Sequence, residues 1–367
     1  MKILIIEPFF TGSHASWAND LKKYSSHEVR ILSMKGLFWK WRMHGGAVYL
    51  SKEFLNMNFT PDLIIASDML DLSTFVSLAK NKLRNTKIAM YFHENQLSYP
   101  WSPNDKDIKE NRDKHYGFIN YTSILTADAV FFNSNYHMNS FYSALETFLN
   151  SMPDYKTIEN MDKIRAKCSV LPLGLELNKF DEYSNSSKYK EGLILWNHRW
   201  EYDKNPEDFF NALFILKNKG IPFKLAVLGE SFKKNPKIFE KAKNELKENI
   251  VIFERAESFS EYARWLHKAD ILPVTSIQEF FGISVMEAVY CNCYPLLPNR
   301  LTYPELLDAK NNSINFYNNF NELVCKIQWS LENIDHIRKK SLNNIASKYK
   351  WQDMILKYDE TFSQLIK

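Results

Sequence analysis

Residues 275–297, TSIQEFFGISVMEAVYCNCYPLL, follow the run ADILPV at 269–274, and the fold can be read outward from them in both directions. ILPV reads as a strand, Glu279 falls in the loop after it, Glu287 falls within the next helix, and another strand opens at Tyr294. Gly282 sits where a backbone comes close to a ligand. The first amides of a helix have no intrahelical acceptor, and the helix dipole favours negative charge there. The amides of Phe281, Gly282 and Ile283 are therefore expected to point at a phosphate. Glu279 then lies near whatever the phosphate carries, and Glu287 is placed to accept hydrogen bonds from vicinal hydroxyls such as those of a ribose. A bare pair of carboxylates at this spacing otherwise belongs to a solvated helix face, so the context decides.

That context is an alternation of short apolar runs and helical-period segments along the whole chain. Strands are expected at 3–6, 29–32, 63–66, 87–92 and 129–132, and again at 193–196, 223–228, 250–253, 271–274 and 294–297. Such alternation means parallel sheets covered by helices on both faces. Residues 175–192, LELNKFDEYSNSSKYKEG, are polar and lack a periodic apolar face, and so read as a linker. The expected organisation is two Rossmann-like doubly wound domains: residues 1–174, which would bind an acceptor, and 193–350, which would bind a nucleotide sugar. A C-terminal helix over 351–367 is expected to pack back across the hinge. In such folds ligands bind at the carboxyl ends of the strands, which here implies an interdomain cleft.

Composition agrees with this and excludes several classes. At 367 residues the chain exceeds what one core usually organises, and 45% hydrophobic and 15% aromatic residues suffice for two cores. A net charge of +4 permits an anionic partner without requiring one. Cys168, Cys291, Cys293 and Cys325 form no CxxC pair and no zinc spacing with His, as in a reduced cytosolic protein, so no structural metal is expected. The opening MKILIIEPFF reads as a strand rather than a signal peptide, and no apolar run reaches the ~18 residues of a membrane span. The chain is expected to be soluble and cytoplasmic.

EFFGISVME, from Glu279 to Glu287, resembles the paired-Glu signature of retaining GT-B glycosyltransferases of family 4. WNHRWEYDKNPEDF, with Arg199 and Lys204 five apart, resembles that family's Arg-to-Lys segment, although His198 stands where many relatives carry Gly. The resemblance implies that Arg199 and Lys204 hold a leaving diphosphate, as fork and point charge. Four further segments resemble the tRNA-queuosine mannosyltransferases: IIEPFFTGSHASWA, WKWRMHGGAVYLS, YFHENQLSYPW and ADAVFFNSNYHMNSF. The sharpest is the H-E-N-Q-x-x-Y-P string from His93 to Pro100; Thr11 departs from a common Gly before Gly12, Ser13 and His14.

That resemblance implies transfer of mannose from GDP-mannose, with retention, to queuosine in the anticodon of aspartate tRNA. It implies no cofactor beyond the donor and no metal. The glycosidic bond breaks with oxocarbenium character while charge grows on the diphosphate, so preorganised cations and amides should dominate catalysis. Glu279 would position the sugar, His93 would hydrogen-bond the sugar or the attacking hydroxyl, and Gly12 and Ser13 would lie near the diphosphate. Glu94, Asn95 and Gln96 would face the acceptor, and Arg255 the nucleotide. Asn133 and Ser134 are expected to cap the helix that follows them. Two rivals stay open: a family 4 transferase acting on a lipid-linked or cell-surface glycan, and an RNA-binding relative without catalysis.

KGLFWKWRMHGG, residues 35–46, sets Trp39 and Trp41 among Arg42, His44 and lysines. Bases stack on Trp while cations neutralise phosphates, so these four are candidates for an opened anticodon loop. Tryptophans filling the space between sheet and helix, or docking on an anionic membrane surface, are the alternatives. Asp105 to Asp107, a DKD, imitates the metal-binding Asp-x-Asp of other sugar transferases but reads as solvated, and the Lys-rich stretch 233–247 reads as a solvated face.

Overall fold

The computed structural model describes residues 1–102, 105–110, 114–230 and 235–366. The chain divides into two compact units, Met1–Leu175 with Trp351–Lys367, and Glu176–Lys350.

In the first unit the strands are β1 (Lys2–Phe10), β2 (Glu28–Lys35), β3 (Leu63–Ser67), β4 (Lys87–Phe92), β5 (Ala129–Phe132) and β6 (Cys168–Val170). They form a parallel sheet in the order β2-β1-β3-β4-β5-β6. The direction of winding reverses between β1 and β3, the crevice where ligands of open α/β sheets bind. Ile3 to Ile6 in β1 and all of β3 are buried, because a parallel sheet covered on both faces needs apolar runs rather than alternation. Pairing of β1 with β2 slips between Glu7 and Phe10, a bulge at the end of the strand.

The helix Trp351–Ile366 completes this unit. Its Trp351 is fully buried, donates its indole N–H to Asp20 at 3.1 Å, and fits only because Gly174 has no Cβ, which would lie 2.3 Å from the Trp351 ring. Tyr358 bonds the Tyr91 hydroxyl and the Pro172 carbonyl and accepts from the Trp17 indole, at 3.0 to 3.1 Å.

The second unit carries β7 (Leu193–Trp196), β8 (Lys224–Val227), β9 (Ile250–Phe253), β10 (Ile271–Pro273), β11 (Tyr294–Pro298) and β12 (Phe316–Tyr317), in the order β12-β11-β10-β7-β8-β9. The winding reverses between β7 and β10. Trp196, Phe209, Phe210 and Phe239 fill the core on one face of this sheet. The stretch read as a featureless linker folds into a 3-10 turn, Asn178–Tyr183, that buries Phe180. In the Lys-rich segment, 233 and 234 lie outside the described residues. The helix Ile238–Glu245 buries Phe239 and Ala242 and leaves Lys241 and Lys243 exposed. Among the described residues, no helix is long and apolar enough to cross a membrane.

Candidate active site

In the second unit the loops after β7 and β10 converge. The helix Ile283–Tyr290 is opened by Gly282 at a φ of +101°, which places glycine there. The Lys204 ammonium lies 3.3 Å from the Glu279 carboxylate and 3.2 Å from that of Asp203. Burial opposes its charge, but Glu279 and Asp203 outweigh burial and hold Lys204 above its ordinary range. The Thr275 hydroxyl ties the two loops by donating to the Lys204 and Asn205 carbonyls at 2.8 and 2.9 Å. Arg199 pairs with Glu201 at 3.1 Å, is half exposed, and is close enough to Lys204 for its charge to be felt there. The β7 loop that carries Arg199 and Lys204 thus meets the Glu279 loop and the start of the helix within one unit, where the Asn197 side chain donates to the Ser284 carbonyl at 2.8 Å.

Glu279 also turns back on its own loop. Its carboxylate accepts from the amides of Phe280 and Phe281, at 3.2 and 3.4 Å. Of the three amides expected to face a phosphate, that of Phe281 therefore already has a partner. Glu287 is partly buried, accepts from the Tyr262 hydroxyl at 2.8 Å, and has its carboxyl raised above the usual range chiefly by burial. Tyr262 lines a cavity of about 680 Å³ together with Gly229, Glu230, Arg255 and Phe259. Arg255 is largely exposed at the rim, 3.5 Å from Glu230.

Gly229 and Tyr262 escaped sequence reasoning, and His198 was noted only as a departure from Gly. His198 is buried with its Nδ1 3.0 Å from the Ser284 hydroxyl, and burial pushes it down to about 3, so it is neutral. Gly229 holds a φ of +117° with the His198 carbonyl oxygen 2.1 Å from where a Cβ would stand. A glycine after an apolar strand signalled such a close approach. Tyr262 carried no comparable signal.

In the first unit Glu7, His14, Asp68 and His93 gather at the carboxyl ends of β1, β3 and β4, all nearly inaccessible. His14 Nδ1 donates to Glu7 at 3.0 Å. Burial opposes its charge, yet Glu7 overcomes that and lifts His14 to about 9. Burial raises Asp68 to about 8 and, with the neighbouring His14, drives His93 well below its ordinary value. The ligand atoms of Glu7, His14 and His93 lie within 4.8 Å of one another, a spacing that could gather a cation. Gly12 opens the helix Gly12–Tyr24 at a φ of +51°, with Ser13 exposed beside it.

The H-E-N-Q loop divides between structure and surface. Asn95 is fully buried and closes its own turn, accepting from the amides of Leu97 and Ser98 at 3.2 and 2.9 Å, so its amide is spent on the loop. Gln96 donates to Glu94 at 3.0 Å, and both are partly exposed. Ser134 caps the following helix by accepting from the His137 amide, as expected. Asn133 instead donates to the His93 carbonyl, at 3.0 Å.

The aromatic segment splits as well. Trp39 is partly buried against Tyr116 and Trp101, with ring centroids 5.0 and 6.1 Å apart, whereas Trp41 is 62% exposed. Arg42 is partly exposed and donates to the Lys35 carbonyl. His44 stacks on His115 at 4.5 Å. The DKD is not solvated: Asp105 and Asp107 hold the Lys40 ammonium at 2.6 and 2.5 Å, because a lysine beside two carboxylates outcompetes solvent.

Comparison with known proteins fits this geometry. Residues 2–175 match the family described as "tRNA-queuosine alpha-mannosyltransferase N-terminal", and 179–349 match "Glycosyl transferases group 1". The chain is 35% identical over 334 residues to the tRNA-queuosine alpha-mannosyltransferase of Drosophila melanogaster, covering 89% of this chain and 85% of that protein. The chain belongs to the tRNA-queuosine alpha-mannosyltransferase family. Members of this family are glycosyltransferases, and the fold is that of the GT-B enzymes. A glycosyltransferase from Rickettsia africae aligns over 100% of this chain and 98% of its own, with a TM-score of 0.68 and 18% identity. Sucrose-phosphate synthase from Thermosynechococcus elongatus aligns over 100% and 99%, with a TM-score of 0.70 and 14% identity. These two likenesses bear on the fold alone.

Proposed function

We propose that the chain transfers mannose from GDP-mannose, with retention of configuration, to queuosine in the anticodon of aspartate tRNA, in the cytoplasm. The observation that carries this reading is the assembly of Arg199, Lys204 and the Gly282 helix start in one unit, in a chain whose other unit matches the queuosine-specific family. Arg199, Lys204 and the first helix amides take the growing charge of the diphosphate. Glu287, steadied by Tyr262, receives the ribose hydroxyls, and the cavity beside Arg255 receives the base.

Glu279 orders the loop, keeps Lys204 charged and faces the sugar. In the first unit, His93 serves a hydroxyl. Trp41, Arg42 and His44 form the exposed surface on which tRNA stacks, with Glu94 and Gln96 next to the modified nucleoside.

Incubation with GDP-mannose and queuosine-containing tRNA tests the reading. Digested tRNA should show queuosine heavier by one hexose. Hexose appearing on lipid, or tRNA binding with no turnover of the donor, would overturn it.

A further inference from the structure

Among the described residues, the most unusual polar group outside the donor site is His93. It is 8% exposed, yet neither of its ring nitrogens has a hydrogen-bond partner, and the adjacent Asp68 Oδ2 has none either. Buried polar atoms left without partners are costly, and a cluster of them in a native fold calls for a polar ligand. The His93 backbone, by contrast, is pinned at both ends: its amide donates to Asp68 Oδ1 at 2.8 Å and its carbonyl accepts from Asn133. Only packing fixes the ring. His14 lies over it with centroids 4.1 Å apart, Trp17 meets it edge-on at 4.9 Å, and Tyr91 leans on it at 4.9 Å.

His14 is itself fixed by Glu7, and Glu7 is aimed by the bulge at the end of β1, where its other carboxylate oxygen accepts from the Phe9 amide at 2.8 Å. Bulges of this kind re-aim side chains next to functional sites. We propose that Glu7 and His14 are a positioning dyad for His93: Glu7 locks the His14 ring, and His14 holds the His93 imidazole so that a free ring nitrogen accepts a hydrogen bond from the acceptor hydroxyl.

The inference rests on the reading of the first unit as the acceptor site. Two imidazolium rings at 4.1 Å would repel, so the ring paired with Glu7 carries the charge and His93 is the neutral one. A neutral imidazole offers one accepting and one donating nitrogen, which suits a hydroxyl. Of the titratable groups facing His14, the carboxylates of Glu7 and Glu94 favour its charge, Asp68 does so only when ionised, and His93, stacked on it, opposes a second charge beside it.

Three measurements on the full-length protein test this. Nitrogen-15 histidine spectra at pH 7 should show His14 as imidazolium and His93 as a neutral tautomer; the reverse assignment overturns the dyad. Glu7→Gln preserves shape and removes charge. It should lower kcat for queuosine-tRNA by tenfold or more, leave the Kd for GDP-mannose unchanged, and move the alkaline limb of the kcat profile down by at least one pH unit. Glu7→Asp should restore part of that rate. An unmoved limb, or equal losses in donor affinity and rate, would mean that Glu7 is merely structural. Stoichiometric zinc or manganese in the purified protein, lost in His93→Ala, would overturn the dyad in favour of a metal centre. If wild type transfers no hexose to queuosine while the spectra still show the charged and neutral pair, the acceptor reading fails rather than the dyad's geometry.

Discussion

One methyl group at Gly229 would set a Cβ 2.1 Å from the His198 carbonyl oxygen, in a backbone conformation that side chains avoid. Gly229→Ala is therefore expected to cost about 1–3 kcal/mol, visible as a lower melting temperature and weaker donor binding through the displaced His198 loop. An unchanged melting curve would refute the close approach. At Glu287 the chemistry is a shared hydrogen bond rather than space. Glu287→Ala removes the carboxylate that Tyr262 steadies and should weaken the Kd for GDP-mannose by about 1–3 kcal/mol, roughly 5- to 150-fold, by calorimetry. Equal affinity in the variant would remove Glu287 from the donor site. Glu287 was legible in the sequence through a spaced motif, whereas Gly229, a lone glycine after a strand, was not singled out. The Glu7–His14 pair was not, because the two lie seven positions apart, one in a strand and one in the helix after it, and no periodicity marks them as neighbours.

At the scale of elements, the helix Trp39–Asn56 turns one tryptophan inward and the other out. Trp41→Ala should raise the KM for tRNA, by about the 1–3 kcal/mol of one base stack, and leave the Kd for GDP-mannose and the melting temperature unchanged. Trp39→Ala should instead lower the melting temperature, since it vacates the packing against Trp101 and Tyr116. If the two variants behave alike, the division between them is wrong.

The ten strands read from apolar runs stand where expected, and the two that were missed, β6 and β12, share a physical cause. Both are edge strands of three and two residues, paired on one side only. So short an element, ordered by the strand it leans on, leaves no pattern of its own. The 175–192 stretch, which starts where the chain passes from one unit to the other, hid its short turn for a related reason: a lone Phe180 makes no periodicity, yet it anchors the turn.

For the molecule as a whole, the buried charges of the first unit set a pH dependence with a definite sign. His14 is raised to about 9 from an ordinary 6.5, so its contribution is full below pH 6.5 and is lost as pH rises to 9. Asp68 is raised to about 8, so the fold favours its protonated form and also loses stability as pH climbs from about 4 to 8. The two effects add between pH 6.5 and 8. Urea unfolding of the full chain should show a lower midpoint at pH 9 than at 6.5, with His14 contributing at most about 3 kcal/mol. Glu7→Gln should shrink the difference, and identical midpoints in wild type would contradict the buried pair.

The helix that begins at Trp351 makes the first unit discontinuous in sequence, with 175 residues of the second unit spliced into it. During synthesis the sheet of the first unit emerges before the second unit, yet the slot beside Gly174, Trp17 and Tyr91 stays empty until the helix from Trp351 leaves the ribosome. A nonsense mutation anywhere in that helix would thus strike a unit whose sheet was made long before it, and a nascent chain would depend on chaperones for the whole interval of translating its insert.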